Sequence, residues 1–172
     1  GVGSDALTPM ANSIGLQLDN ASFSNRIADN IIANSSQYGI QTSDATTLKN
    51  TFFKNRIYKT TIQPISQVSG AQESVWPPAI FANGGNVYTG LASKGALVQF
   101  FADSSDEGLM FLDTVFADPS TGKWSKTLIV PSGMNLTAMQ DSAGNSSVFS
   151  TAYEPIRNVA PSIPVLLTPQ SN

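Results

Sequence analysis

The chain of 172 residues contains no cysteine and no histidine. Without Cys there is no disulfide framework, no thiolate nucleophile and no sulfur-ligated zinc or iron–sulfur centre. Without His there is no Ser-His-Asp triad and no imidazole metal ligand. Charge is scarce as well. Charged residues make up 12 % of the chain, about half of the roughly 25 % usual in soluble domains. Nine basic and twelve acidic residues leave a net charge of −3. No basic surface is available to follow a phosphate backbone, which argues against a nucleic-acid partner. No run reaches the roughly 18 to 20 apolar residues of a membrane-spanning helix, and no signal peptide is visible. Two kinds of site chemistry survive these absences: carboxylates acting alone, and an oxygen-ligated calcium.

Uncharged polar residues fill the gap, chiefly Ser, Thr, Asn and Gly. With 41 % hydrophobic residues the composition is not that of a disordered acidic segment. The chain opens at Gly1 rather than Met, as expected for a processed product or a piece of a longer protein.

An internal repeat occupies the first third. Gly15-Leu16-Gln17 aligns with Gly39-Ile40-Gln41 at an offset of 24 residues. A polar stretch follows each copy, Asp19-Asn20-Ala21-Ser22 and then Ser43-Asp44-Ala45-Thr46. Next come Ile27 and Leu48, and then Asp29–Asn34 and Lys49–Asn55, with a slip of one residue. Each apolar piece is too short for a helix and reads as a short strand. Asn and Gly at the corners accept a left-handed backbone. Strands and corners then wind into turns that stack by parallel pairing at about 4.8 Å, with Asn side chains able to bond from one turn to the next.

On the lines Asn25–Asn34 and Tyr38–Gln41, residues 1–58 resemble the right-handed parallel β-helix of pectate-lyase-like and periplasmic copper-processing-type repeat proteins. Gly1–Ala6 resembles the loop of a longer secreted version, so the fragment is expected to begin within a coil. Few coils expose strand edges and share their core with neighbours. Company is therefore expected at this end, either other protein subunits or the remaining coils of the same chain.

From Gly84 to Ala152 the pattern changes. Strands are expected at 86–91, 96–102, 108–117, 123–130, 135–141 and 148–152. Turn signals separate them at Ser93-Lys94-Gly95, Asp103–Glu107, Asp118–Gly122, Pro131-Ser132-Gly133 and Ser142–Asn145. Short strands at this spacing predict a β-sandwich. Lys94–Asp103, Gly122-Lys123-Trp124-Ser125, Asn135–Ala138 and Asp141–Ser150 resemble the bacterial Ig-like repeat of surface adhesins. The expected fold class is all-β, a short right-handed parallel β-helix segment followed by an Ig-like β-sandwich. The division is 1–63 coils, 64–83 linker and cap, 84–155 sandwich, and 156–172 a Pro-rich linker toward a further module.

Candidate sites are few. Of the repeat region's acids, Asp5, Asp19, Asp29 and Asp44, Asp19 and Asp44 lie one repeat apart and are the carboxylate pair a sugar-cleaving site could use. Each also fits a turn, where Asp bonds nearby N–H groups. Trp76, before Pro77-Pro78, reads as a sugar platform or as a wedge between domains. Asp103, Asp106 and Glu107 share one loop and are the candidate calcium ligands, though calcium wants six to eight oxygens. Trp124 reads as sandwich core, and the pair Phe100-Phe101 sends one ring inward and one outward. Four Asn-X-Ser/Thr sequences, at Asn20, Asn34, Asn135 and Asn145, occur at about the frequency such a composition gives by chance. The expected function is a non-catalytic structural or interaction module of a large secreted or cell-surface bacterial protein, outside the cell, without cofactor and with cell-surface polysaccharide as a further partner. The alternative is the back part of a carbohydrate-active β-helix enzyme or a carbohydrate-binding module.

Overall fold

The computed structural model describes residues 9–82 and 85–155. The Gly1–Ala6 loop and the linker 156–172 fall outside the described residues. The chain is all-β, with one short 3-10 turn at Ala71–Ser74. Strands β1 (Asn12–Leu18), β2 (Arg26–Ala28), β3 (Ile31–Ala33), β4 (Ser35–Ser43), β5 (Thr51–Phe53), β6 (Arg56–Tyr58) and β7 (Gln63–Val68) pair with one another in parallel. They form a three-stranded sheet in the order β1-β4-β7 and two narrow sheets, β2-β5 and β3-β6.

The register corrects the sequence alignment. Leu16 pairs with Ile40 and Ile40 with Ile65. Ile27, however, pairs with Phe52, while Leu48 bridges Phe23. The repeat along β2 and β3 is 25 residues, as in Arg26 with Thr51 and Ile31 with Arg56. Leu16, Ile27, Ile32, Ile40, Phe52, Ile57 and Ile65 stack inside the rungs this repeat builds.

The corners are also not where composition places them. Ser24, Asp29 and Asn34 in one rung, and Lys49, Lys54 and Lys59 in the next, all have φ between 55° and 59°. Asn25, Asn30, Asn50 and Asn55 follow the corners, and their amides lock rung to rung. Asn50 Oδ1 accepts from the Asn25 backbone N–H at 3.0 Å and from its Nδ2 at 2.9 Å. Asn55 Oδ1 does the same for Asn30, at 3.1 and 3.0 Å. Asn50 Nδ2 donates to Ser22 O and Asn55 Nδ2 to Ile27 O. A left-handed non-glycine residue costs about 1 to 2 kcal/mol; the part-buried ladder bonds it positions offset that.

The remaining strands are antiparallel: β8 (Ala79–Ala82), β9 (Val87–Leu91), β10 (Leu97–Asp103), β11 (Met110–Phe116), β12 (Lys123–Thr127), β13 (Asn135–Ser142) and β14 (Asn145–Ser146). They make a four-stranded sheet, β11-β10-β13-β14, and a three-stranded sheet, β12-β9-β8. Gly95, Gly122, Gly133 and Gly144 turn the chain with positive φ. At Gly122 a Cβ would lie 2.4 Å from Ala92 O, so glycine is required there for space as well. The segment 64–83 is not simply linker. It supplies β7, the third rung of the largest parallel sheet, and β8, an edge strand of the three-stranded sheet. Residues 147–153 pair with β13 through isolated bonds, such as Ser150 N–H to Ala138 O, rather than as a full ladder.

The four-stranded sheet is covered on both faces. Val98, Phe100, Leu136 and Ala138 meet Tyr88 and Trp124 of the three-stranded sheet. Trp124 is 4 % exposed and lies 5.0 Å from the Phe100 ring centroid. On the opposite face Phe101, Met139 and Phe149 enter the same core as Ile40, Phe52, Ile57 and Ile65. Phe101, the ring that strand alternation sends the other way from Phe100, thus packs on the rungs. The rungs and the antiparallel sheets share a core.

Candidate functional site

The ends of the stack of rungs differ chemically. On the C-terminal side the backbone edge of β5, β6 and their corners is met by side chains of the four-stranded sheet. Asn145 Oδ1 accepts from Lys49 N–H at 2.6 Å, and Ser146 Oγ accepts from Phe52 N–H at 2.7 Å. Gln99 Nε2 donates to Phe52 O at 2.7 Å, while its Oε1 accepts from Lys54 N–H at 2.8 Å. Glu107 accepts from the N–H groups of Lys59 and Thr60, at 2.6 and 2.7 Å, and from the Thr60 hydroxyl. Ile57 and Gly108 exchange backbone bonds in both directions. Gln72 closes the first ladder by accepting from Asn50 N–H at 3.1 Å. These groups stand where the backbone of a further rung would stand and satisfy the N–H groups of Lys49, Asn50, Phe52, Lys54, Lys59 and Thr60, although the buried Asn145 Nδ2 itself is left without a partner.

Asp141 lies in this seal. Gln99 Nε2 donates to its Oδ2 at 2.9 Å, and the Ser146 hydroxyl donates to Oδ1. Burial pushes its carboxyl up to about 6, against the pull of those two donors and of Arg26 on β2. Arg26 itself stacks 5.0 Å from the centroid of the Phe53 ring, which it shares with Lys54.

The N-terminal side has no such seal among the described residues. Strand β1 pairs with β4 on one side and has no strand partner on its other edge. Strand β3 (Ile31–Ala33), at the same end, is likewise an edge without Pro or charge, whereas edge strands elsewhere carry features that discourage pairing. Pro64 interrupts β7, Pro77-Pro78 precedes β8, Lys123 and Lys126 lie on β12, and β11 faces a register shift at Phe100/Phe101. Strand β1 carries neither Pro nor a charge over Asn12–Leu18.

The residues singled out by sequence are placed as follows. Asp44 Oδ1 accepts from the N–H groups of Thr46 and Thr47, each at 2.9 Å, and Oδ2 from the Thr47 hydroxyl. The Thr46 hydroxyl and these neighbours hold its carboxyl down to about 2. Asp19 accepts from Gln17 and Asn20 side chains and caps Ser22 through its carbonyl. The Asp44 carboxylate serves a turn, whereas at Asp19 the main-chain carbonyl does. Trp76 is 50 % exposed, and its carbonyl accepts from Gln140 Nε2 at 2.6 Å. It is therefore not a buried wedge. The loop acids are parted. Asp103 accepts from Ser105 and Leu109 N–H groups, Asp106 is exposed, and Glu107 turns to the rungs. They form no cluster of three metal-ligating groups among the described residues. Gln99, Ser146, Asn145 and Asp141 escape the sequence reading, because polar residues within strands look like solvent-facing positions. The spacing Asn25-Asn30 and Asn50-Asn55, five within a rung and 25 between rungs, is the signal that finds the ladder.

No protein-family model matches the chain, and no curated protein matches it.

Proposed function

We propose that the chain is a non-catalytic interaction module that closes one end of a stack and docks through the other. In this reading the rungs are the last turns of a right-handed parallel β-helix. The antiparallel sheets are an Ig-like sandwich fused to it, and the setting is a large secreted or cell-surface bacterial protein. The observation that carries it is the asymmetry of the two ends. One edge is saturated by Gln99, Glu107, Asn145 and Ser146. The other, β1, is an uncharged strand with no strand partner on one side among the described residues. The occupant of that edge is another extended rung, from the same parent chain or a neighbouring subunit. A catalytic reading would rest on Asp19 and Asp44; the Asp44 carboxylate is engaged by the Thr46 and Thr47 turn, and that of Asp19 by the exposed side chains of Gln17 and Asn20.

Light scattering across a concentration series tests this. The chain is expected to associate. Ser13→Lys with Gln17→Lys, at two exposed positions of β1, is expected to abolish association without lowering the melting temperature. A chain that stays monodisperse and unfolds cooperatively at every concentration overturns the proposal.

A further inference from the structure

We infer that Asn25 and Asn30 select what docks on the open end, and that the occupant they fit is a rung carrying Asn at two positions five residues apart. This rests on the reading of the rungs as the last turns of a stack, and it names the partner that reading leaves general.

Within the chain the amide ladder has a direction. Asn50 Oδ1 accepts from the N–H and Nδ2 of Asn25, and Asn55 Oδ1 from those of Asn30. The later rung accepts and the earlier rung donates. At the sealed end the donors of the first ladder are left over and are met by a side chain. Gln72 Oε1 stands in for a further Asn, accepting from Asn50 N–H at 3.1 Å and from its Nδ2 at 3.3 Å. At the open end the acceptors are left over. Asn25 and Asn30 are exposed, and their Oδ1 atoms accept no bond among the described residues. Asn25 Nδ2 gives one hydrogen to Asn50 and has a second to offer. The equivalent hydrogen of Asn50 reaches back to Ser22 O of the earlier rung at 2.9 Å. That of Asn30 is taken by Ala28 O.

The apolar interior is uncovered on the same side. Ile40, Phe52 and Ile57 are fully buried. Their partners in the first rung, Leu16, Ile27 and Ile32, are only partly covered. The fitting occupant therefore brings donors at the two ladder positions and an apolar residue two places after each, as Ile27 follows Asn25 and Ile32 follows Asn30. Main-chain pairing along β1 gives affinity for any extended segment, and these side chains give the selection. A second copy that offers its own open end sets acceptors against acceptors. It satisfies β1 but not the ladder.

The first rung itself has the required pattern, so a labelled peptide of residues 12–34 is the probe. Its binding to the intact chain is read by fluorescence anisotropy. Saturable binding is expected. The same peptide with Asn25→Ala and Asn30→Ala is expected to bind about tenfold or more weakly, because two ladder bonds are lost. In the chain, Asn25→Ala with Asn30→Ala leaves Asn50 and Asn55 accepting from the backbone N–H groups at those positions. This variant is expected to bind the two peptides alike, which isolates the amide pair from general strand addition. The peptide comparison needs no change to the chain and stands if the variant fails to fold. Absence of saturable binding overturns the inference. So do equal affinities of the two peptides for the parent chain, or a preference for the Asn peptide that persists in the variant. Self-association lost in Ser13→Lys with Gln17→Lys, beside equal peptide affinities, removes the ladder and keeps docking through β1. A chain that stays monodisperse and binds neither peptide removes both.

Discussion

Acid should stabilise this protein over a window in which most proteins are indifferent. The group responsible is Asp141, whose carboxyl burial pushes from 3.8 up to about 6. Between those values the folded chain holds a proton that the unfolded chain has released. Stability contributed by this group is therefore greatest at low pH and is lost as pH rises through about 6. Moving from pH 7.5 to pH 5 should add on the order of 1 kcal/mol, or roughly a few degrees in melting temperature for a chain of this size. The window avoids the opposing carboxylates. Asp44, held down to about 2 by Thr46, and Asp113 and Asp118, held low by Lys126 and by Thr121, weaken the fold only in stronger acid. Urea denaturation at the two pH values gives the difference directly. Asp141→Asn keeps the shape, with an amide that accepts from Gln99 and donates to Ser146, and should show no slope across the window. A parent chain that is flat or more stable at pH 7.5 would refute the reasoning, as would an Asn variant with the parent's slope.

Two further outcomes follow from the ladder and the seal. Asn55→Ala strands the Asn30 N–H and the Ile27 carbonyl, and should cost about 2 to 4 kcal/mol in urea unfolding. Glu107→Ala leaves Lys59 and Thr60 N–H groups without acceptors. Amide exchange at those two positions should rise well before global stability falls by its expected roughly 2 to 3 kcal/mol.

Much of the strand content is legible in the chain because its signals are local. Gly95, Gly122, Gly133 and Gly144 mark turns by the one backbone conformation they favour, and the strands between them lie within a few residues of expectation. The repeat is legible through Leu16 and Ile40, which recur in a long strand. It is misread at Ile27 and Leu48, since short strands offer one inward residue each and many alignments satisfy so weak a pattern. The corners mislead for a different reason. Lys49, Lys54 and Lys59 adopt a conformation that residue preference assigns to Asn or Gly, and after the first two the Asn one place later, Asn50 or Asn55, does the bonding. Burial of Gln99, Thr137 and Gln140 has no sequence signature, because polar side chains in alternating strands normally face water. Their partners lie 30 to 64 residues away and exist only once the layers meet.

The sealed edge has a consequence for stoichiometry. A unit with one reactive face is monofunctional in the polymer chemist's sense: it can join a growing column once and then stops it. If the chain docks through β1 as proposed, Glu107, Gln99, Asn145 and Ser146 occupy the backbone groups of β5, β6 and their corners that a successor rung would need, which works against head-to-tail growth at those strands. In that reading the chain would end a column rather than extend it.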